Sequence, residues 1–178
     1  MFKLRCSKIA KVGLLRRFWY NFIMITLQPV IENNWGATLQ LTVHPTQQRF
    51  VAAFTPIAAI ALAKAYIRPS GWHWLPYAIY ADQQMVGFFA IALEPKPPAD
   101  GWLFHFFIDQ HRQGRGYGKQ AMQTLIELIK TEQPTCTGIS LVVHPANNVV
   151  AQSLYQQSGF VATGAERWGE PVYRLKFA

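Results

Sequence analysis

Acidic residues are scarce in this chain, nine Asp and Glu against 17 Lys and Arg in 178 positions. They form no acidic cluster in the sequence, so no segment by itself makes a site for a multiply charged cation. Cysteine is rarer still. Cys6 and Cys136 are too few for a disulfide framework and lack metal-ligand spacing, so both are expected as free thiols in a reducing compartment, the cytoplasm. The five histidines show no paired spacing for zinc, and no metal is expected. No apolar run approaches the ~18 residues that a membrane span requires. No Ser/His/Asp or Cys/His constellation can be assembled either, which argues against an enzyme nucleophile.

What the chain does have is apolar mass. Hydrophobic residues make up 51% and aromatic residues 14%, the composition of a packed globule large enough to bury one continuous core. The net charge of +8 suggests nucleic acid until its position is considered. Lys3, Arg5, Lys8, Lys11, Arg16 and Arg17 stand in residues 1–23 with no acid among them, leaving 11 basic against 9 acidic residues in the body. A phosphate-backbone surface is therefore not expected. Met24 precedes a respectable strand, so residues 1–23 are expected to be a basic extension without catalytic consequence and 24–178 a single domain.

The pattern of elements is mixed. Ile25 to Val30 reads as a strand, and Glu32 to Leu41 as a helix burying Trp35, Leu39 and Leu41. Thr55 as cap and Pro56 at the first helical position predict a helix through Ala65. Tyr77 to Tyr80 and Met85 to Leu93 form a hairpin about Asp82-Gln83-Gln84, and three prolines make a loop of Glu94 to Gly101. Trp102 to Ile108 has the continuous apolar character of a central strand buried on both faces. Met122, Leu125, Ile126 and Ile129 then recur at helical spacing, and Ile139 to Val143 completes a parallel β-α-β unit. Asn147 is expected to cap a helix carrying Val150, Leu154 and Tyr155 that stops at Gly159. Phe160 to Thr163 and Val172 to Phe177 close the sheet.

Where the central strand meets its helix, Gln113-Gly114-Arg115-Gly116-Tyr117-Gly118-Lys119 places three glycines at alternate positions. A dinucleotide fingerprint needs a third glycine at 119, and a nucleotide P-loop needs four residues between its glycines; neither spacing is met. The arrangement that remains is a run of amide N-H groups converging on a diphosphate, aided by the helix dipole.

The chain here resembles the GNAT superfamily of N-acetyltransferases, whose pyrophosphate motif Gln/Arg-x-x-Gly-x-Gly/Ala is matched by Gln113, Gly116 and Gly118. The second signature, Asn-x-x-Ala-x-x-Leu-Tyr followed by Gly-Phe, is matched by Asn148, Ala151, Leu154, Tyr155, Gly159 and Phe160. Phe50-Val51-Ala52, Pro76 to Tyr80 and Phe107 to Asp109 look like bacterial spermine/spermidine acetyltransferases. The likeness implies a mixed, mostly antiparallel sheet of six to seven strands, splayed at its middle pair and flanked by about four helices. It also implies acetyl-CoA as co-substrate, held by Phe107, Ile108, residues 113–119, Asn148 and Tyr155.

In such a fold the amine attacks the thioester directly. Tyr155 is expected at the departing sulfur. A phenol near pKa ~10 is a weaker acid than a thiol near ~8.5, so hydrogen-bond donation describes it better than proton transfer. Asp109, at the end of the central strand, is the first choice for attracting and deprotonating the amine, with Glu166 and Glu170 as further acceptor contacts. Trp72, His73 and Trp74 are candidates for a pocket wall. The expected acceptor is a small primary amine, a polyamine such as spermine or spermidine. A protein N-terminus, an antibiotic or an amino acid remains open, as does an acyl-CoA-binding regulator without turnover. Relatives that pair through their sheets imply a homodimer.

Overall fold

The structure is a computed structural model of the chain and describes residues 24–95, 100–144, 146 and 149–177. The expected extension over residues 1–23 falls outside them, as do Asn147 and Asn148. Seven strands form one sheet in the order β1-β2-β3-β4-β5-β7-β6. They are β1 (Ile25–Pro29), β2 (His73–Ala81), β3 (Gln84–Leu93), β4 (Gly101–Ile108), β5 (Gly138–Val142), β6 (Val161–Arg167) and β7 (Glu170–Lys176). Every neighbouring pair is antiparallel except β4 and β5, which lie parallel because α4 (Tyr117–Glu132) crosses between them. Four other α-helical segments are present among the described residues: α1 (Trp35–Thr38), α2 (Gln48–Val51), α3 (Ile57–Ile67) and α5 (Val150–Gln157).

The sheet separates two apolar layers. On one face Phe89, Ile91 and Leu103 pack with Met122, Leu125 and Ile129 of α4, all buried. On the other face Phe88, Ala90 and Phe107 meet Ile57, Ala58 and Ala61 of α3 and Leu41 and Val43 of the preceding segment. This two-sided burial explains why β3 reads as an unbroken apolar run and not an alternating one.

Several boundaries differ from expectation for local reasons. The helix expected over 32–41 shrinks to the single turn of α1. Asn34 bonds Ile31 N and Pro29 O, and the Thr38 hydroxyl bonds Trp35 O, so side chains compete with the helical ladder. Thr38 is fully buried there while Trp35 is half exposed. Pro56 stands at the cap of α3, extended and after a cis bond, and Thr55 makes no side-chain cap. Strand β2 starts at His73, four residues earlier than expected, and accepts Pro76 where β1 ends, with Val30 N bonding Pro76 O. Strand β6 runs on to Arg167, and Trp168 and Gly169, both left-handed, turn it into β7.

Two features of β4 position the site. It pairs with β5 only at Gly101↔Ile139 and Trp102↔Ser140, after which no ladder joins the strands. It also carries a bulge: Phe88 faces Phe107 and Ala90 faces Phe104, so Phe89 is opposed by both His105 and Phe106. His105 sits at φ 53°, in the left-handed region. Gly87 is required alongside, because a Cβ there would overlap the carbonyl oxygen of Phe107.

Candidate active site

The glycine loop lies where the unpaired end of β4 gives way to α4. Gly114 at φ 75° and Gly116 at φ 79° are left-handed, and a Cβ at either would meet nothing within 4 Å. The backbone therefore needs glycine for its conformation, and the space beside it stays open to a ligand. Gly118 has no such backbone demand; a Cβ there would rest against Ile108 and Leu154 in ordinary contact. That difference agrees with a motif that tolerates Gly or Ala at its last position. Gly116 caps α4 without any side-chain bond, so the first-turn amides of a 16-residue helix point outward with the positive end of its dipole.

Gln113 is pinned rather than free. Its Nε2 donates to Ile108 O at 2.9 Å and to Gln47 Oε1 at 2.9 Å, and Gln47 Nε2 returns a bond at 3.3 Å. The exchange ties the end of β4 to the segment before α2 and fixes the entry of the loop.

A cleft of about 330 Å³ opens from this loop along β4. Phe106, Phe107 and Ile108 form its floor, Val43, Phe50 and Val51 one wall, and Leu154 and Tyr155 of α5 the other. Gln113, Gly114, Gly116, Tyr117, Gly118 and Lys119 close its head. The splay of β4 from β5 leaves the strand edge along the floor without a ladder partner, an edge shaped for an added strand. The donor set fits a diphosphate at one end and a polar, narrow arm behind it. Arg115 is exposed and does not line the cleft; Arg112 does, supplying a cation that the sequence reading missed.

Tyr155 projects into the cleft from α5, its ring edge-on to Phe160 at 5.9 Å. Burial pushes its phenol up to about 12. It is a weaker acid here than in water, so the phenol stays neutral and keeps its proton near neutral pH.

Asp109 is buried and fully engaged. Its Oδ2 accepts from Thr42 N at 2.9 Å and its Oδ1 from His111 N at 3.0 Å, closing the turn that follows β4. Glu166 is exposed on β6, and Glu170 opens β7; neither lines the cleft.

Aromatic side chains gather on the face of the sheet that carries α3. Trp74 stacks near Phe104 at 4.8 Å, Trp72 lies 6.4 Å from Trp102, and Trp168 reaches back from the β6–β7 turn to both Trp102 and Phe104. His73 is exposed. Two cations lie on this wall. Lys64 Nζ is 4.5 Å from the Trp74 ring, and the Arg167 guanidinium lies 4.1 Å from Trp102, 4.6 Å from Trp168 and 5.1 Å from Trp72. Burial lowers the Lys64 ammonium below its ordinary value. Glu94 accepts from Trp102 Nε1 at 3.1 Å and stands 4.0 Å from Arg167.

Lys64, Trp102, Phe104, His105, Arg167 and Trp168 were not foreseen as site residues. They come from three separate stretches of chain, and only the bulge in β4 and the turn at Trp168-Gly169 bring them together. The signal for the other missed wall, Phe50 and Val51, was present in the resemblance but carried no chemistry of its own.

Comparison with known proteins bears on the fold and the family. A spermine/spermidine N(1)-acetyltransferase of Bacillus subtilis (strain 168) is 31% identical over 145 residues, 79% of this chain and 90% of that protein. Among solved structures, the spermidine N-acetyltransferase of Vibrio cholerae in complex with CoA and spermine has a TM-score of 0.63 at 16% identity, covering 84% of this chain and 92% of that one. The aminoglycoside acetyltransferase AAC(6')-Ib in complex with coenzyme A has a TM-score of 0.68 at 16% identity, covering 86% and 95%. At such identity these structures speak for the fold. The family model described as Acetyltransferase (GNAT) family matches residues 45–160, spanning the bulged strand, the glycine loop and α5, and the chain belongs to that family.

Proposed function

We propose that the protein transfers the acetyl group of acetyl-CoA to a primary amine of a small molecule by direct attack, the acceptor being a polyamine such as spermine or spermidine. The observation that carries the reading is the cleft that runs from the uncapped amides of α4 along the unpaired floor of β4 to Tyr155. Acetyl-CoA supplies the activated acyl group. Gln113, Gly114, Gly116, Tyr117, Gly118 and Lys119 hold the diphosphate, with Arg112 adding charge, and the backbone of Phe107 and Ile108 orients the arm. A β4 amide at the splay stabilises the carbonyl oxygen as charge develops on it. Tyr155 donates to the departing sulfur. Asn148 belongs to the same proposal through the family motif. The likeness to spermine/spermidine acetyltransferases supports the polyamine acceptor.

A second reading of the acceptor is favoured by Lys64 and Arg167. Both cations occupy the aromatic wall that would otherwise receive the distal ammonium groups of a polyamine. Glu94 is the carboxylate beside them, and Asp109 spends both oxygens on backbone amides. That arrangement suits an acceptor with one reactive amine and an apolar or anionic remainder. Incubation with acetyl-CoA and a panel of spermine, spermidine, aminoglycosides, amino acids and peptides, with detection of free thiol, separates the readings. Thiol release with polyamines supports the first and release only with singly charged amines supports the second. Tight CoA binding with no release from any amine would leave a regulator.

A further inference from the structure

One wall of the cleft comes from a stretch of chain far from the glycine loop in sequence. Val43, Gln47, Phe50 and Val51 all line it. The stretch holds only a 3-10 turn, Pro45–Gln47, and the single turn of α2. Turns this short do not hold themselves in place, so the wall stands where the rest of the molecule ties it. Its two ends are tied firmly. Val43 and Ala52 are buried beside Phe107. Thr42 N donates to Asp109 Oδ2 at 2.9 Å, Gln110 N donates to Thr42 O at 2.8 Å, and His105 Nδ1 lies 2.9 Å from Val51 O.

The middle is held differently. Residues 44–46 are exposed, and Phe50 leans on His144 of the segment after β5, the rings 5.1 Å apart. The polar tie here is the amide exchange of Gln47 with Gln113, two bonds of 2.9 and 3.3 Å closing a ring. Gln113 Nε2 also reaches Ile108 O at 2.9 Å. A carboxamide nitrogen has two hydrogens, and these two acceptors match them, so the Gln113 side chain keeps no donor for a phosphate.

We propose that Gln47 is a positioning residue for acetyl transfer: through Gln113 it latches the middle of the stretch 42–51 to the unpaired end of β4. The latch keeps Phe50 and Val51 beside the arm of bound acetyl-CoA. The inference rests on the acetyltransferase reading and deepens it, because the first residue of the glycine motif becomes the anchor of the facing wall and the phosphates are left to the backbone amides behind it. Ile108 is the common point, since it belongs to the cleft floor and its carbonyl fixes the amide that fixes Gln47. Glutamine suits position 47 because an amide gives and takes at once. A glutamate there keeps the bond accepted from Gln113 and loses the one returned. A methionine keeps the length and loses both.

The test compares Gln47→Met, Gln47→Glu, Gln113→Met and the double methionine variant. With two neutral hydrogen bonds lost, Gln47→Met should raise Kd for CoA and KM for acetyl-CoA about tenfold, with kcat for the best amine within about threefold of wild type. Gln47→Glu should recover a large part of that loss. The double variant should be no worse than Gln113→Met, because the latch breaks only once. Unchanged affinity in a folded Gln47→Met would overturn the proposal, as would additive losses in the double variant or a glutamate no better than methionine. Should the methionine variants not fold, hydrogen exchange of the intact protein decides. Amides of residues 46–51 and 114–118 should gain protection together when CoA binds, and protection confined to the loop would contradict the latch. An intact protein that binds no CoA would sink the functional reading as well, whereas one that binds CoA equally well without Gln47 sinks this proposal alone.

Discussion

The two sides of β4 are built from different materials. Toward α4 the cleft is largely backbone: left-handed glycines, uncapped amides and the unpaired edge of a splayed strand. Toward α3, outside the cleft lining, stands a wall of side chains: four tryptophans, Phe104, His105 and the cations Lys64 and Arg167, drawn from separate segments between Lys64 and Trp168. A backbone site recognises what every acetyl-CoA presents, and its sequence signature is short and local. The side-chain wall has no such local signature, and its residues converge only after folding. The contrast teaches which half a sequence can announce, and each half can be broken without the other.

The largest effect is expected from Gly116→Val. A β-branched side chain at φ 79° is strained by about 1–3 kcal/mol and also covers the amides of α4. CoA affinity by calorimetry should drop on the order of 100-fold, and unchanged affinity would detach the loop from cofactor binding. Next is Tyr155→Phe, which should lower kcat by about 10- to 100-fold while leaving KM for acetyl-CoA in place. Equal losses in both would make Tyr155 a binding residue instead.

Smaller changes sharpen the acceptor half. Replacing both cations, Lys64→Met with Arg167→Gln, should vacate the tryptophan faces and lower KM for spermine severalfold, by about 0.5–1 kcal/mol for each exposed cation-π site gained. A raised KM would show that the two cations organise the wall for polyamines rather than occupy it.

The smallest effect concerns the hinge between the halves. Arg174 grips Asp100 through two bonds of 2.7 Å, joining β7 to the start of β4 below the splay. Those hydrogen bonds hold the Asp100 carboxyl below its ordinary value. Its contribution to stability is therefore complete above pH ~4, the unfolded value, and is lost as pH falls through the lower folded one. Asp100→Asn should cost up to about 1 kcal/mol at pH 7, given its partial exposure, and progressively less as the pH falls below ~4; thermal unfolding across that range checks this.

The same contrast governs how much could be read from sequence. The glycine loop was legible because Gly114 and Gly116 answer a backbone demand that no other residue meets cheaply, and α4 because its apolar stripe is periodic. The parallel β-α-β unit followed once a single crossover was recognised, whereas the place of β7 between β5 and β6 had no local signal. The aromatic wall was not legible: Trp72 and Trp74 were visible as aromatics, but nothing local marked Arg167 as their neighbour. His105 sat inside an apolar run that gave no hint of a bulge. Asp109 looked like an available carboxylate at a strand end, and only the amides of Thr42 and His111 reveal how it is used. The helix expected over 32–41 failed because Asn34 and Thr38 bond the local backbone, a competition that periodicity does not record.

The proposed function depends above all on the amides at the head of α4 receiving a diphosphate. Titration of the intact protein with CoA in a calorimeter, repeated with Gly116→Val, examines that directly. Saturable one-to-one heat in the first and its loss in a folded variant are the predicted result; no heat in the intact protein, or equal heat in both, would contradict it.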